Sequence, residues 1–463
     1  MIELDEFRPE SVTLPVPEKK PRKELDPQFS DFNLARSVIE SHGSTILYMP
    51  KFERGYWWTG DHWQEDITNH IPEVVKNHLH RKSLLVDSSQ KRLLLQSRSK
   101  VNNVLAFVRM DSEVTTTVDE MDTRDMELNT PAGTYDLRTM TLGKHDPAAK
   151  HSMITAVSPS FDPPELFLSH LRRVTDGDTG KQTLIQNFYG SAVSGQQART
   201  MLFQYGEGQN GKGTIANAVA GCMGTYARPV SDEVFAWSKF PSHSTNIAGL
   251  KGIRFAYGDE TQAGSAWDEA KIKRLTGGGL ITAHRMCQDN EDFAPKFKLV
   301  VTGNNKPTLT GVDEAIKSRM ILLPFTVTIP EKERDGEHGN RLREEYPRIL
   351  GWLLQGWRNW LRDGLCIPDS VREATNEYLS DEDTLGRWIA ERAIVGSKIR
   401  YETATSSLFA DWKDWCDKSN ERAGNINKFS SDLAKREEIV KRDRKGTFRF
   451  FRGIALKSDA GTE

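Results

Sequence analysis

Cysteine is scarce in this sequence. Its 463 residues include four, Cys222, Cys287, Cys366 and Cys416, scattered with no C-x-x-C pair and no histidine at zinc-ligand spacing. That spacing argues against a disulfide framework and a structural zinc site and fits a reducing cytosol. Long apolar runs are missing too. Nothing approaches the roughly 18 residues that suggest a membrane span, and the opening Met-Ile-Glu-Leu-Asp-Glu lacks the basic-then-apolar pattern of a signal peptide. The expectation is a soluble, cytoplasmic protein with no membrane partner. An excess of charge of one sign is also absent: 63 Lys and Arg face 65 Asp and Glu, a formal net charge of -2. Any nucleic-acid binding must therefore rest on local charge, not on the total.

What is present suggests several domains. Residues 1–28, with Pro15, Pro17, Lys19, Lys20, Pro21, Arg22 and Lys23, can bury little and read as a flexible tail. Residues 29–150 read as an N-terminal α/β domain. Its Tyr56-to-Trp63 stretch is a strand, a Gly-Asp turn and a strand, whose tryptophans form a small core rather than a base-stacking platform. Residues 151–199 read as a helical linker or collar, 200–345 as the chemical core and 346–380 as a helical segment. Within the last, Tyr346 to Arg362 carries Ile349, Leu350, Leu353, Leu354 and Trp357 at helical spacing. Residues 381–463 form a final module.

The sharpest signal begins at Met201. An apolar strand, Met201 to Tyr205, runs into Gly206-Glu-Gly208-Gln-Asn210-Gly211-Lys212-Gly213-Thr214, and Ile215 to Ala220 reads as a helix. Strand, glycine loop and helix is the context a phosphate-binding loop requires. Glycines let backbone N–H groups turn inward, the helix N-terminus adds a positive dipole, and Lys212 brings a charge to the β- and γ-phosphates. ATP is the expected nucleotide, with Gly206, Gly208, Asn210, Gly211, Lys212, Gly213 and Thr214 around it. The hydroxyl comes one position later than in G-x-x-x-x-G-K-[ST], because Gly213 follows the lysine.

A motor also needs carboxylates near the γ-phosphate. The strand-like Ile253 to Tyr257 ends in Gly258-Asp259-Glu260. Asp259 is assigned to Mg²⁺, with Thr214, and Glu260 to the attacking water. Phe297 to Thr302 is a further strand, ending in Gly303-Asn304-Asn305-Lys306-Pro307, where Asn304 can sense the γ-phosphate. Arg319, just before the strand Met320 to Leu323, suits an arginine finger that reaches a neighbouring subunit's ATP.

In this order the motifs resemble the superfamily 3 helicases, in particular the phage, plasmid and poxvirus-type primase-helicases. The matching stretches are Gly206 to Lys212, Leu250 to Arg254 with Glu260, Lys273 to Gly278, Phe293 to Lys298, Asn304 to Pro307 and Arg319 to Phe325. More weakly, Asn129 to Pro147 and Pro368 to Leu456 resemble the flanks of the same family. Gly279 stands where the family usually has aspartate, and His284 where it has arginine, with Arg285 following. The resemblance implies a P-loop, AAA+-like α/β motor core that forms a homo-oligomeric ring, a hexamer. It implies that Gly279 to Lys298 is a hairpin gripping single-stranded DNA through His284, Arg285, Lys296 and Lys298. It also implies a phage or mobile-element replicon in a bacterial cytoplasm, working with a separate primase or initiator. Much of the sequence before Gly206 resembles the helicase's own N-terminal region, so no primase activity is expected.

The final module places Trp388, Leu408, Trp412 and Trp415 at helical spacing, followed by a basic strand pair around Arg444-Lys445-Gly446. Helices followed by a basic hairpin suggest a winged-helix-like domain that meets forked DNA through Lys435, Arg436, Arg444 and Lys445. Three functions compete: a ring helicase translocating on single-stranded DNA, a P-loop nucleotide kinase suggested by Gly-Lys-Gly-Thr, and an initiator that uses ATP only as an assembly switch.

Overall fold

The structure is a computed structural model that describes residues 27–197, 199–237, 245–259, 266–284, 290–309, 312–396, 402–419, 421–436, 441–445 and 448–458. The chain divides into two compact units, Met1–Thr59 with Gln64–Glu120, and Gly60–Trp63 with Met121–Glu463.

In the first unit, the helices Asp31–His42, His70–Leu84, Ser89–Leu95 and Arg98–Met110 accompany an antiparallel pair, Ile46–Met49 with Arg54–Trp58. Three of these helices start at serine caps: Ser30, Ser88 and Ser97 accept from the backbone N–H of Asn33, Lys91 and Lys100. Such caps satisfy donors that have no partner inside the helix. Leu34, Val38, Val75, Leu79, Val104 and Val108 close the core. Trp57 stacks on His70 at 4.2 Å, a packing role of the kind its sequence context suggested.

The division falls near residue 120, not at 150. The strands Glu127–Thr130, Gly133–Asp136 and Thr141–Gly143 belong to the second unit. Leu128 and Leu137 are fully buried in its core, and the Trp357 indole N–H donates to the Leu137 carbonyl at 2.8 Å.

The second unit is organised by five parallel strands: Met201–Tyr205, Ala227–Pro229, Phe255–Asp259, Lys298–Gly303 and Met320–Pro324. Numbered one to five along the chain, they lie side by side in the order 5-1-4-3-2. Both faces are covered, so the strands are apolar without alternation. On one face Leu202, Phe255, Val300 and Ile321 pack with residues of the helices Thr179–Ser191, Lys212–Met223 and Tyr346–Asp363. On the other, Phe203, Ala256, Val301 and Leu322 pack with Trp267, Ile272, Tyr378 and Leu379. The register aligns Tyr205 with Gly303 and Pro324, and Asp259 with Thr302. Four strand ends therefore open onto one edge, where open parallel sheets bind ligands.

At the C-terminal end, the helices Thr405–Lys418 and Ile426–Ala434 accompany a three-stranded sheet of Glu402–Ala404, Phe448–Arg452 and Lys441–Lys445. Trp388, Trp412, Trp415, Phe429 and Phe451 are buried among them.

Candidate functional site

The Met201 strand leads directly into the glycine loop, and the helix Lys212–Met223 leads out of it. Gly208, Gln209 and Gly211 adopt positive φ angles of 88°, 52° and 77°. Two glycines are sterically required. A Cβ on Gly206 would lie 2.2 Å from the Phe325 carbonyl oxygen, and one on Gly211 would lie 2.7 Å from both the His170 ring and Val174. Gly213 has open space around it. A hydroxyl at 214 stands about 100° further round the helix than one at 213 would.

Lys212 is buried, and its ammonium donates to the Gly206 carbonyl at 3.1 Å, the Asn304 side-chain oxygen at 3.1 Å and the Asn210 side-chain oxygen at 3.3 Å. Burial lowers its pKa, while the Asp259 carboxylate opposes that shift. The Thr302 hydroxyl donates to Asp259 Oδ1. Lys212, Asp259 and Asn304, separated by up to 92 residues in sequence, thus converge at one sheet edge. A charged lysine among neutral oxygens, backed by a carboxylate and a helix N-terminus, is a donor set suited to a polyphosphate and a divalent cation. Glu260, the expected partner of the water, lies outside the described residues.

Two histidines escaped the sequence reading. His170, buried on the helix Glu165–Val174, meets the Gly211 carbonyl through Nε2 at 3.1 Å. A carbonyl only accepts, so Nε2 carries the proton. Its Nδ1 lies 3.2 Å from Nε2 of His338, whose ring is tilted against it at 4.9 Å. Burial lowers the pKa of both; His338 and Arg173 depress that of His170 further, and Arg341 and Arg173 that of His338. This pair grips the end of the glycine loop from outside. Nothing in the linear sequence announces it, because His170 lies 41 residues before Gly211.

Arg319 stands at the other edge of the sheet. Met320 is level with Met201, and Pro324 with Tyr205, so five residues of strand, about 16 Å at 3.3 Å each, separate Arg319 from the loop. Its Nη1 donates to the Ala315 carbonyl at 2.6 Å, and its buried Nε has no partner among the described residues. It cannot serve the loop of its own chain.

The expected DNA-binding residues fare unequally. Ile281–His284 and Asn290–Phe293 pair antiparallel, His284 opposite Asn290; Arg285 lies outside the described residues. Lys296 is half-buried and paired with Asp125 at 2.5 Å. Lys298 requires a correction. It is 1% exposed, its ammonium donates to the Gln196 carbonyl, and burial, reinforced by the neighbouring Arg254, pushes its pKa down to about 7. It lies on the central strand, covered from both faces, and a phosphate cannot reach it. Arg436 is likewise engaged internally, with Asp383. Lys435 is exposed and pairs with Asp432 at 2.8 Å. Arg444 and Lys445 sit on the Lys441–Lys445 strand, with Arg444 opposite Arg449. Arg442 and Arg449 are exposed on the same strand pair and were not singled out from the sequence, although the run Lys-Arg-Asp-Arg-Lys carries the signal.

Residues 35–188 match the family described as D5 N terminal like, and residues 204–319 match a family of unknown function, DUF5906. A helicase-named protein of Acanthamoeba polyphaga mimivirus is 23% identical over 258 residues, covering 51% of this chain and 27% of that one. A helicase-named protein of Frog virus 3 is 26% identical, covering 50% and 26%. A primase-named protein of African swine fever virus is 21% identical, covering 48% and 25%. The chain thus spans about a quarter of the length of these curated relatives. Among solved structures, the apo A form of the NrS-1 C-terminal region superposes with a TM-score of 0.52 at 11% identity, covering 92% of this chain and 99% of that one. At that identity the likeness concerns the fold.

Proposed function

We propose that this chain is a helicase of the superfamily 3 primase-helicase type: an ATP-driven, ring-forming DNA helicase with an AAA+-like core and a winged-helix-like C-terminal module. One observation carries the reading: Lys212, Asp259 and Asn304 meet at the C-terminal edge of a 5-1-4-3-2 parallel sheet, around a glycine loop that tolerates no side chain at Gly206 or Gly211.

In this reading Lys212 leaves its neutral oxygens for the β- and γ-phosphates. Asn304 stays beside them to orient the water, and Glu260 takes its proton. Asp259 is the residue that would hold Mg²⁺, which neutralises phosphate charge when bound; Thr214 is its proposed second ligand. The distance of Arg319 from its own loop favours action in trans, so each site takes its finger from a neighbour, and a ring, which we take to be a hexamer, follows. Single-stranded DNA would run along the Ile281–His284 hairpin, with His284, Arg285 and Lys296 as its contacts. Forked DNA would meet Lys435, Arg442, Arg444, Lys445 and Arg449.

Nucleotide chemistry gives the first test. Lys212→Ala should lose ATP hydrolysis because it removes the charge on the phosphates. Glu260→Gln should keep ATP binding and lose turnover, since an amide cannot take the proton. Normal hydrolysis by Glu260→Gln would remove that residue from the mechanism. Phosphate transfer from ATP to a nucleotide would favour a kinase instead.

A further inference from the structure

The helix Asp369–Glu382 spends its polar side chains on the nucleotide side of the core. Thr375 accepts from the Leu322 N–H at 3.0 Å, fixing the helix to the strand Met320–Pro324. Tyr378, 1% exposed, donates its hydroxyl to the Pro307 carbonyl at 2.5 Å. Glu382 accepts from the Leu309 N–H at 2.8 Å. Lys306 lies over the Tyr378 ring at 5.9 Å and the Tyr205 ring at 5.3 Å, so the same loop is held against the strand that opens the glycine loop. Thr308 and Leu309 also pair with Ala266 and Trp267. The stretch immediately after Asn304, however, is met by the helix. Asn304 itself is exposed and touches Lys212 only through its side-chain oxygen. An exposed amide at a strand end keeps its place only if the turn behind it is held.

We propose that Tyr378 and Glu382 are positioning residues for the nucleotide site: they clamp the loop 304–309 so that Asn304 stays aligned with Lys212. The proposal rests on the reading of Asn304 as the γ-phosphate sensor. The clamp has a further consequence for the C-terminal module. Asp383, next to Glu382, caps the following helix by accepting from the Gly386 N–H at 2.9 Å and pairs with Arg436 of that module. The element that sets Asn304 is therefore continuous with the one that carries the basic hairpin.

The test is a double-mutant cycle on ATP hydrolysis by the full chain with Tyr378→Phe, Asn304→Ala and the pair. A clamp acting through Asn304 predicts that Tyr378→Phe lowers kcat by up to about 100-fold, the loss that a misplacement of about 1 Å can cause. KM for ATP should stay within about twofold, because Lys212 and the loop still bind it. Asn304→Ala should lower kcat further, and the pair should be no slower than Asn304→Ala alone, since residues acting as one unit are not additive. If Tyr378→Phe melts early, Glu382 supplies the second arm: Glu382→Ala should reproduce the loss, and Glu382→Gln, which keeps an oxygen for the Leu309 N–H, should restore kcat. Additive losses, or a normal kcat in both Tyr378→Phe and Glu382→Ala beside an impaired Asn304→Ala, overturn the clamp. A normal kcat in Asn304→Ala overturns the sensor reading beneath it.

Discussion

Lys298→Met should make the protein more stable near neutral pH and leave DNA binding intact. The lysine is 1% exposed and has a pKa of about 7, against 10.5 for an ordinary side chain. Its pKa in the folded state is depressed, so the unfolded chain binds the extra proton between these values. Stability is penalised in full below pH 7 and recovers as pH rises toward 10.5. One pH unit in that window corresponds to about 1.4 kcal/mol. The cost is therefore on the order of 4 kcal/mol at pH 7 and falls by about 2 kcal/mol by pH 9. Methionine keeps most of the volume and carries no charge, while its loss of the hydrogen bond to Gln196 is independent of pH. Urea unfolding of both proteins at pH 7 and pH 9 reads the effect, with the stability gap between them shrinking by that amount. A gap that stays constant would mean that Lys298 is not a buried cation. Weakened single-stranded DNA binding by Lys298→Met would return it to the DNA path.

Gly211→Ala should abolish ATP binding, because the added carbon lies 2.7 Å from His170 and Val174 and the φ of 77° disfavours any side chain; equilibrium binding of a fluorescent ATP analogue would show it, and normal affinity would contradict the loop geometry. Arg319→Ala should bind ATP but hydrolyse it on the order of 10³-fold more slowly. Mixing it with Lys212→Ala should restore part of the turnover, provided labelled chains show that subunits exchange; no rescue at any ratio would count against trans action. Replacing Arg442 and Arg449 by alanine should weaken fork binding and reduce the slope of log affinity against log salt by about two, as two phosphate contacts vanish. An unchanged slope would remove the strand pair from the interface.

The strand, glycine loop and helix around Lys212 were legible because their signal is local: an apolar strand, glycines where φ is positive, and a helix beginning at Lys212. That Asp259 and Asn304 come together beside Lys212 was legible because each follows a short apolar run, and parallel strands buried on both faces end at the same sheet edge. The same physics misled the reading of Lys298. Within Phe297-Lys298-Leu299-Val300-Val301 there is no alternation, since both faces are covered, so a lysine there is carried inside. Its charge in the sequence said nothing of its burial. The His170–His338 grip on Gly211 and the Tyr378 clamp on Pro307 join segments far apart in the chain, and no period or spacing encodes them. The unit boundary near residue 120 was hidden because the strands Glu127–Thr130 and Gly133–Asp136 read as a hairpin whichever neighbour they pack on.

ATP turnover at the Lys212 loop is proposed to drive movement along DNA. A forked duplex with a labelled strand, incubated with the protein, ATP and Mg²⁺, tests it most directly. Single-stranded DNA should stimulate ATP hydrolysis and the labelled strand should be displaced, with neither activity in Lys212→Ala. ATP hydrolysis without displacement on either fork polarity, under conditions where the protein binds the fork, would contradict it.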